Sequence, residues 1–131
     1  MTGEHAERAG ETALAIDCFE QAGKEAQRRF ANATAVSWLR RAVILLNETD
    51  PARRFALLHQ IEQIGDTAGD RSAQDAVQAD MAALLERHPD DARQARLLIC
   101  RALLAERRGD RSAFERHARL AVGLAEQSAD A

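Results

Sequence analysis

A recurring spacing of small and large apolar residues, in steps of four and three, constrains the fold of this chain most. It starts in ERAGETALAIDCFEQA, where Ala15, Phe19 and Ala22 follow a glycine. The same spacing recurs at Ala35, Leu39 and Ala42, and again at Phe114, Ala118 and Ala121. Such steps place side chains on one side of an α-helix. Because small residues let two helix axes approach closely, the spacing predicts helices that pack tightly against neighbouring helices.

Composition supports an all-α fold for the whole chain. Alanine is the commonest residue, proline occurs only twice, and aromatic residues make up only 4% of the 131 residues. Strong helix formers therefore dominate, and residues that favour strands are few. The length suits one domain, so we expect residues 1–131 to form a single helical-repeat domain.

Short breaks divide the chain into about six long helices and a short N-terminal one, which Gly10 is expected to close. The long helices are predicted to end near Arg29, Leu46, Thr67, Arg87, Arg108 and Gln127. Asn32 is a candidate N-cap of the second long helix, and Asp50 with Pro51 fits the start of the third. Because every break is only a few residues long, consecutive helices should lie antiparallel.

The four letters GDRS occur twice, at positions 69–72 and again at 109–112. Each copy is expected to end one helix and cap the next. Ser72 with Asp75, and Ser112 with Glu115, have the spacing of a capping box. An offset of one helical hairpin between two copies is typical of a solenoid built from repeats.

The alanine–aromatic–alanine spacing after a short glycine turn resembles that of tetratricopeptide repeats. The segment 57–89 fits the same pattern, with Gly65 at a small position, Val77, Met81 and Leu84 on the second helix, and Pro89 at its end. The resemblance implies antiparallel hairpins stacked into an α-solenoid. The offset of forty between the two GDRS copies exceeds the tetratricopeptide period of 34.

A narrower resemblance covers residues 6–46, where HAERAG is followed by AIDCFEQAGKEAQRRFANATAVSWLRRAVILL. This stretch looks like the helical-repeat region of large bacterial ATPase regulators, which carry such repeats after a nucleotide-binding module. The resemblance implies that the chain is a segment of a longer signalling or transcriptional regulator. Other domains of that parent protein would then be among its partners.

Charge and hydropathy argue against two classes of partner. The net charge of −3 does not suit a general nucleic-acid binder, which needs a basic surface. No apolar run approaches the length of a membrane span, and the charged start MTGEHAERAG does not resemble a signal peptide. We therefore expect a cytoplasmic protein without membrane contact, in which Cys18 and Cys100 are buried as reduced thiols.

No motif in the sequence predicts catalysis or a cofactor. There is no phosphate-binding loop, no dinucleotide-binding glycine pattern and no nucleophile elbow. The histidines stand apart, at His5, His59, His88 and His117, so neither a metal site nor a catalytic residue is predicted. His117 is expected to be half-buried and hydrogen-bonded, Trp38 to pack in the core, and the paired arginines to cover solvated helix surfaces.

These patterns favour a non-catalytic protein–protein interaction module, because solenoids expose an extended surface that suits peptides or neighbouring domains. The phasing of the helices predicts an interaction face that consists of His59, Glu62, Asp66, Arg96, Ile99 and Leu103. The main alternative is a helical-repeat domain that senses a small-molecule effector in a groove. A third hypothesis is homo-oligomerisation.

Overall fold

The computed structural model of the protein describes the backbone of residues 2–130 and the side chains of residues 8–127. Six helices and no strand occur in this part of the chain, which confirms the all-α fold. They are α1 (Thr2–Arg28), α2 (Asn32–Leu46), α3 (Pro51–Ala68), α4 (Arg71–Arg87), α5 (Asp91–Arg107) and α6 (Arg111–Asp130). The chain forms two compact units, Met1–Ile64 and Gly65–Ala131, which divide within α3.

In the first unit, α1 and α2 pack against each other as an antiparallel pair. Phe19 stacks on Trp38, and Gly23, one turn further along α1, approaches Leu39 and the Ala35 carbonyl. The predicted stripe of α2 is confirmed, because Ala35, Leu39 and Ala42 are completely buried. The first part of α3 adds a further set of buried apolar side chains: Phe55, Leu57, Leu58, Ile61 and Ile64.

In the second unit, α5 packs closely against α6 and also contacts α4. The predicted apolar positions of α4 are buried at Val77, Met81 and Leu84. The buried apolar residues of α5 and α6 are Leu97, Leu98, Cys100, Ala102, Leu104, Ala105 and Ala121. Gly65 is buried against Gln74, which agrees with its prediction as a small position.

The short N-terminal helix predicted before Gly10 does not exist as a separate element. One helix continues through Gly10, from Thr2 to Arg28. A glycine inside a helix costs only about 1 kcal/mol relative to alanine, and neither a proline nor a helix-ending residue reinforces it here. The surrounding alanine, glutamate and leucine residues therefore keep this segment helical.

Three turns, after α1, α3 and α5, share one backbone geometry. The residues Phe30, Gly69 and Gly109 occupy equivalent places with φ values of 60°, 71° and 75°. The next residue in each turn donates its N–H to a carbonyl five residues earlier, as Asp70 does to Gly65 and Asp110 to Ala105. This is the Schellman arrangement that ends helices. The two GDRS turns therefore share their backbone geometry with a third turn, at residues 30–32, whose sequence is Phe-Ala-Asn.

The helix caps correct three predictions. In both GDRS turns the cap is the aspartate rather than the serine, because Asp70 and Asp110 accept the backbone N–H of Ala73 and Ala113. Asn32 is not a cap either, since it is already the first residue of α2 and follows Ala31. Each cap had been placed one or two residues too late, because the capping position directly follows the positive-φ residue of its turn, which is Phe30, Gly69 or Gly109. The predicted cap Asp50 is confirmed by its bond to the Arg53 N–H.

Two of the arginine pairs connect helices rather than cover solvated surfaces, contrary to the prediction. In the first unit, Arg53 of α3 binds Asp17 of α1 at 2.7 Å and Glu20 at 3.2 Å. Its neighbour Arg54 donates to the backbone carbonyls of Val43 and Asn47 at the end of α2. The fork of each guanidinium can reach two acceptors at once, so adjacent arginines fix α3 against two earlier helices.

In the second unit, Arg107 and Arg108 play the corresponding role at the end of α5. Arg107 binds Asp66 at 3.2 Å, and Arg108 binds Asp75 through both guanidinium ends at 2.6 and 3.0 Å. The Arg108 guanidinium holds the pKa of the Asp75 carboxyl below its usual value, through these hydrogen bonds first and its charge second. Since the side chains are partly exposed, these pairs chiefly set helix orientation and add little stability.

The predicted burial of the two cysteines holds for one of them. Cys100 is buried as expected, whereas Cys18 is exposed, contrary to the prediction. Among the described residues, no helix has a stretch that is both long enough and apolar enough to cross a lipid bilayer.

Candidate interaction surface

An apolar groove runs along the surface between α5 and α6. We call it the α5–α6 groove, and its volume is about 300 Å³. Ile99 and Leu103 of α5 form one wall, and Phe114 and Val122 of α6 form the other. Alanines line the remainder, at positions 95, 102, 118, 121 and 125. The spacing of four and three on both helices produces this arrangement, because it aligns each set on one side of its helix.

Large apolar side chains are unusually exposed in this groove. Ile99 is 50% exposed, Leu103 42% and Val122 56%. An isolated exposed leucine is ordinary on a protein surface, but a continuous concave apolar patch marks an interaction site. The remaining lining residues are alanines, whose small side chains would let another chain approach close to the two helix backbones.

One end of the groove, beside the turn between α5 and α6, becomes charged. Phe114 is shared with a neighbouring depression of about 410 Å³ that Glu106, Arg111 and Glu115 line. Arg111 and Glu115 form an exposed ion pair along α6, at 3.5 Å. The groove therefore joins an apolar floor to a polar rim, which is the composition of protein interfaces.

The three residues of the predicted interaction face that lie on α3 differ in exposure. His59 is half-buried, and its Nε2 lies 3.3 Å from the side-chain nitrogen of Gln63. Glu62 is only 3% exposed, so its carboxylate does not contribute to a surface as predicted. The prediction placed Glu62 at the surface from helical phase alone, which cannot tell which side of α3 its neighbours cover.

Asp66 is partly exposed, but two arginines engage it. Arg71 binds its Oδ1 at 3.2 Å, and Arg107 of α5 binds both of its oxygens at 3.2 and 3.4 Å. The hydrogen bond from Arg107 is the largest reason why the pKa of this carboxyl lies below its ordinary value, and Arg71 acts in the same direction. Asp66 thus holds helices together, and a ligand would have to displace these arginines to reach it.

The three predicted residues on α5 lie together at or beside the groove. Ile99 and Leu103 line it, and Arg96 is exposed one turn before Ile99. The sequence reasoning missed the α6 wall, although it had identified the stripe that contains Phe114 and Ala121. It assigned that stripe to internal packing, because sequence spacing does not show whether a further helix covers it.

His117 differs from its prediction in one respect. The side chain is half-buried as expected, but its buried Nδ1 has no hydrogen-bond partner. Burial lowers the pKa of this imidazole, and the positive charges of Arg116 and Arg101 lower it further against the opposing charge of Asp110. The neutral form is therefore favoured in the folded protein.

Comparison with known proteins gives no relative for this chain: no protein-family model, no curated protein and no solved structure matches it.

Proposed function

We propose that this chain is a non-catalytic protein–protein interaction module whose binding surface is the α5–α6 groove. The observation that carries the proposal is the exposure of Ile99 and Leu103, at 50% and 42%, within one continuous apolar concavity. Leaving such surface in water is unfavourable by roughly 25 cal/mol per Å², and a partner that covers it recovers this free energy.

The occupant that best fits the groove is an amphipathic helix of a partner protein. The two walls belong to helices joined by a connection of only three residues, so they are antiparallel and leave a valley for a third helix. At 1.5 Å per residue, the stretch from Phe114 to Ala125 is about 16 Å long, or about three helical turns. Such a partner would insert apolar side chains at positions i, i+3 or i+4, and i+7.

We further propose that the chain is a helical-repeat solenoid within a larger bacterial regulatory protein. The three equivalent turns at Phe30, Gly69 and Gly109 favour a helical-repeat solenoid of the tetratricopeptide kind. The continuity of α1 through Gly10 removes one turn on which that resemblance relied. The resemblance of residues 6–46 to the repeats of large bacterial ATPase regulators supports a place within a bacterial signalling or transcriptional regulator.

A small-molecule effector is the alternative occupant, and the groove volume of about 300 Å³ favours it. That volume lies at the lower end of the range for ligand pockets. Effector sites also need polar groups that fix the orientation of the ligand. The groove residues are alanine, isoleucine, leucine, phenylalanine and valine, whose side chains offer no hydrogen bond. For this reason the helix of a partner protein fits better.

The proposal can be tested by selection from a phage library that displays three-turn helical peptides. We expect enrichment of amphipathic sequences with apolar residues at helical spacing. Ile99→Gln and Leu103→Gln should each weaken the binding of the selected peptides about tenfold. Leu120→Gln should leave the affinity of these peptides unchanged. Leu120 is a matched control, because it is 53% exposed on α6 but lies outside the groove.

Three outcomes would contradict this assignment. No enrichment, or enrichment of peptides that bind the Ile99→Gln variant equally well, would show that the groove is not the binding surface. A mass above one chain in light scattering, abolished by Leu103→Gln, would make a second copy the occupant. A single metabolite that raises the unfolding temperature of the wild type, but not of Ile99→Gln, would favour the effector alternative.

A further inference from the structure

A second surface, independent of the groove, lies on the pair of helices α1 and α2. Phe19 and Trp38 stack with ring centroids 5.5 Å apart and planes inclined by 25°. Both side chains are half-buried, so the prediction that Trp38 packs in the core holds for only part of its ring. Stacked aromatic rings that stay partly exposed offer a rigid apolar contact at little cost in side-chain entropy.

Arg41 lies over this aromatic pair. Its guanidinium carbon is 4.9 Å from the centroid of Trp38 and 5.9 Å from that of Phe19. These distances suit cation–π attraction, which holds the guanidinium against the rings. A guanidinium has five N–H donors, which is more than contact with two rings can occupy. Among the side chains of residues 8–127, no hydrogen bond or ion pair engages the exposed Arg41.

The charged side chains of α2 are all positive. Residues 32–46 contain Arg40 and Arg41 but no aspartate or glutamate. Leu45, four residues after Arg41 and seven after Trp38, lies on the same side of the helix and is 37% exposed. We call the set Phe19, Trp38, Arg41 and Leu45 the aromatic–arginine face. It combines an oriented cation with exposed apolar surface on both sides of it.

We propose that the aromatic–arginine face binds an acidic peptide segment of a partner protein. One carboxylate accepts hydrogen bonds from Arg41, and an apolar side chain beside it packs against Trp38 and Leu45. A planar guanidinium fork matches a carboxylate bidentately, and such charge-assisted bonds are the strong ones. Because the rings already hold Arg41, its side chain loses little additional conformational entropy when the carboxylate binds.

Nucleic acid is a poorer occupant of this face. Base stacking on Trp38 would bring a chain of phosphates near α1, where Asp17 lies two residues before Phe19 and Glu20 directly follows it. Both carboxylates carry negative charge even though Arg53 pairs with them. A nucleic-acid site needs several cations along a track, whereas α2 supplies two in all.

Trp38 is the only tryptophan, so its fluorescence reports directly on this face. The probe is a synthetic peptide of Asp, Glu, Leu and Phe, and its control is the same peptide with Asn and Gln in place of the acids. We expect saturable change of Trp38 emission with the acidic peptide, weakened by added salt. The amide peptide should bind about tenfold more weakly, which is the scale of one charge-assisted hydrogen bond.

Variants assign the binding to Arg41. By anisotropy of a fluorescein-labelled acidic peptide, Arg41→Gln should bind about tenfold more weakly, and Arg41→Lys should be intermediate because it keeps the charge without the planar fork. Arg28→Gln is the matched control, since Arg28 is exposed on α1 and pairs with Glu25 one turn earlier. Circular dichroism should show unchanged helix content in all three variants.

The proposal is overturned if the acidic and amide peptides bind equally, or if Arg41→Gln binds like the wild type. It is also overturned if a single-stranded DNA oligonucleotide perturbs Trp38 more strongly than the acidic peptide does. A mass above one chain that Arg41→Gln abolishes would assign the face to a second copy instead. Ile99→Gln should leave acidic-peptide binding unchanged, so this proposal and the groove proposal can fail separately.

Discussion

Gly23 of α1 lies so close to Leu39 of α2 that a Cβ atom on Gly23 would come within 2.7 Å of Leu39 Cγ and Cδ2. Leu39 is completely buried, so its side chain has little room to retreat. The two helix axes therefore approach each other at a residue that sequence spacing did not single out. Sequence spacing had given that role to Ala22, the residue directly before Gly23.

Gly23→Ala is predicted to destabilise the protein, although alanine is the better helix former. Overpacking against Leu39 should cost about 1–3 kcal/mol, which exceeds the gain of about 1 kcal/mol in helix propensity. The matched control is Gly10→Ala in the same helix, where nothing lies within 4 Å of the added Cβ atom. That variant should gain about 0.5–1 kcal/mol in urea unfolding. A stabilised Gly23→Ala variant would show that α1 and α2 are less closely packed than described.

Phe30→Gly is predicted to stabilise the protein. Phe30 is 81% exposed and has a φ of 60°, a left-handed conformation that costs a residue with a side chain about 1–2 kcal/mol. Glycine removes this cost, and its greater freedom in the unfolded chain offsets about half of the gain. Urea unfolding should show a net gain of about 0.5–1 kcal/mol. Gly69→Ala, at the equivalent turn, should change stability in the opposite direction.

Ala31→Asp is predicted to supply the side-chain N-cap that α2 lacks. Ala31 precedes α2 with φ −84° and ψ 70°, close to the −89° and 86° of the capping residue Asp70. An aspartate there can accept a free N–H of α2 and is favoured by the helix dipole, which together amount to about 1 kcal/mol. Removal of a cap by Asp110→Ala should cost a similar amount, whereas Ser112→Ala should cost little. Equal losses for those two variants would contradict the capping assignment.

The sequence predicted the helices well because apolar spacing depends only on local geometry. The burial of Ala35, Leu39 and Ala42 follows from it directly, and the ends of α2 and α3 follow from the short breaks in the sequence. The turn at Phe30 was located, but its likeness to the GDRS turns could not be seen, because backbone hydrogen bonds make the same turn from different side chains.

The candidate surfaces were harder to predict than the helices. Ile99 and Leu103 were identified because large apolar residues at one helical phase need some partner. The burial of Glu62, the pairing of Asp66 with Arg107 and the position of Arg41 over Trp38 depend on distant contacts. Spacing within one helix carries no information about which neighbour covers each side.

Acid should weaken the second unit through Asp66. Its pKa is lowered mainly by the hydrogen bond from Arg107, so the folded state favours the charged carboxylate. This contribution to stability is present above the ordinary pKa of 3.8 and is lost as the pH falls through that value toward the lowered one. Asp66→Asn and Arg107→Gln should reduce stability at neutral pH and flatten the loss below about pH 4. Arg96→Gln, on the exposed side of α5, should keep the wild-type profile in urea unfolding.

His117 should weaken the fold in a different pH range. Burial and the charges of Arg116 and Arg101 lower its pKa, so the unfolded chain takes up a proton more readily than the folded protein does. Stability is therefore unaffected above the ordinary pKa of about 6.5 and decreases as the pH falls from there to the lowered value. His117→Leu should remove this part of the decrease. It should also stabilise the protein at pH 7 by about 1 kcal/mol, because no buried Nδ1 is left without a partner. Urea unfolding between pH 7 and 5 measures both effects. An NMR titration that places the His117 pKa at or above 6.5 would contradict the burial of an unpartnered imidazole, on which both effects depend.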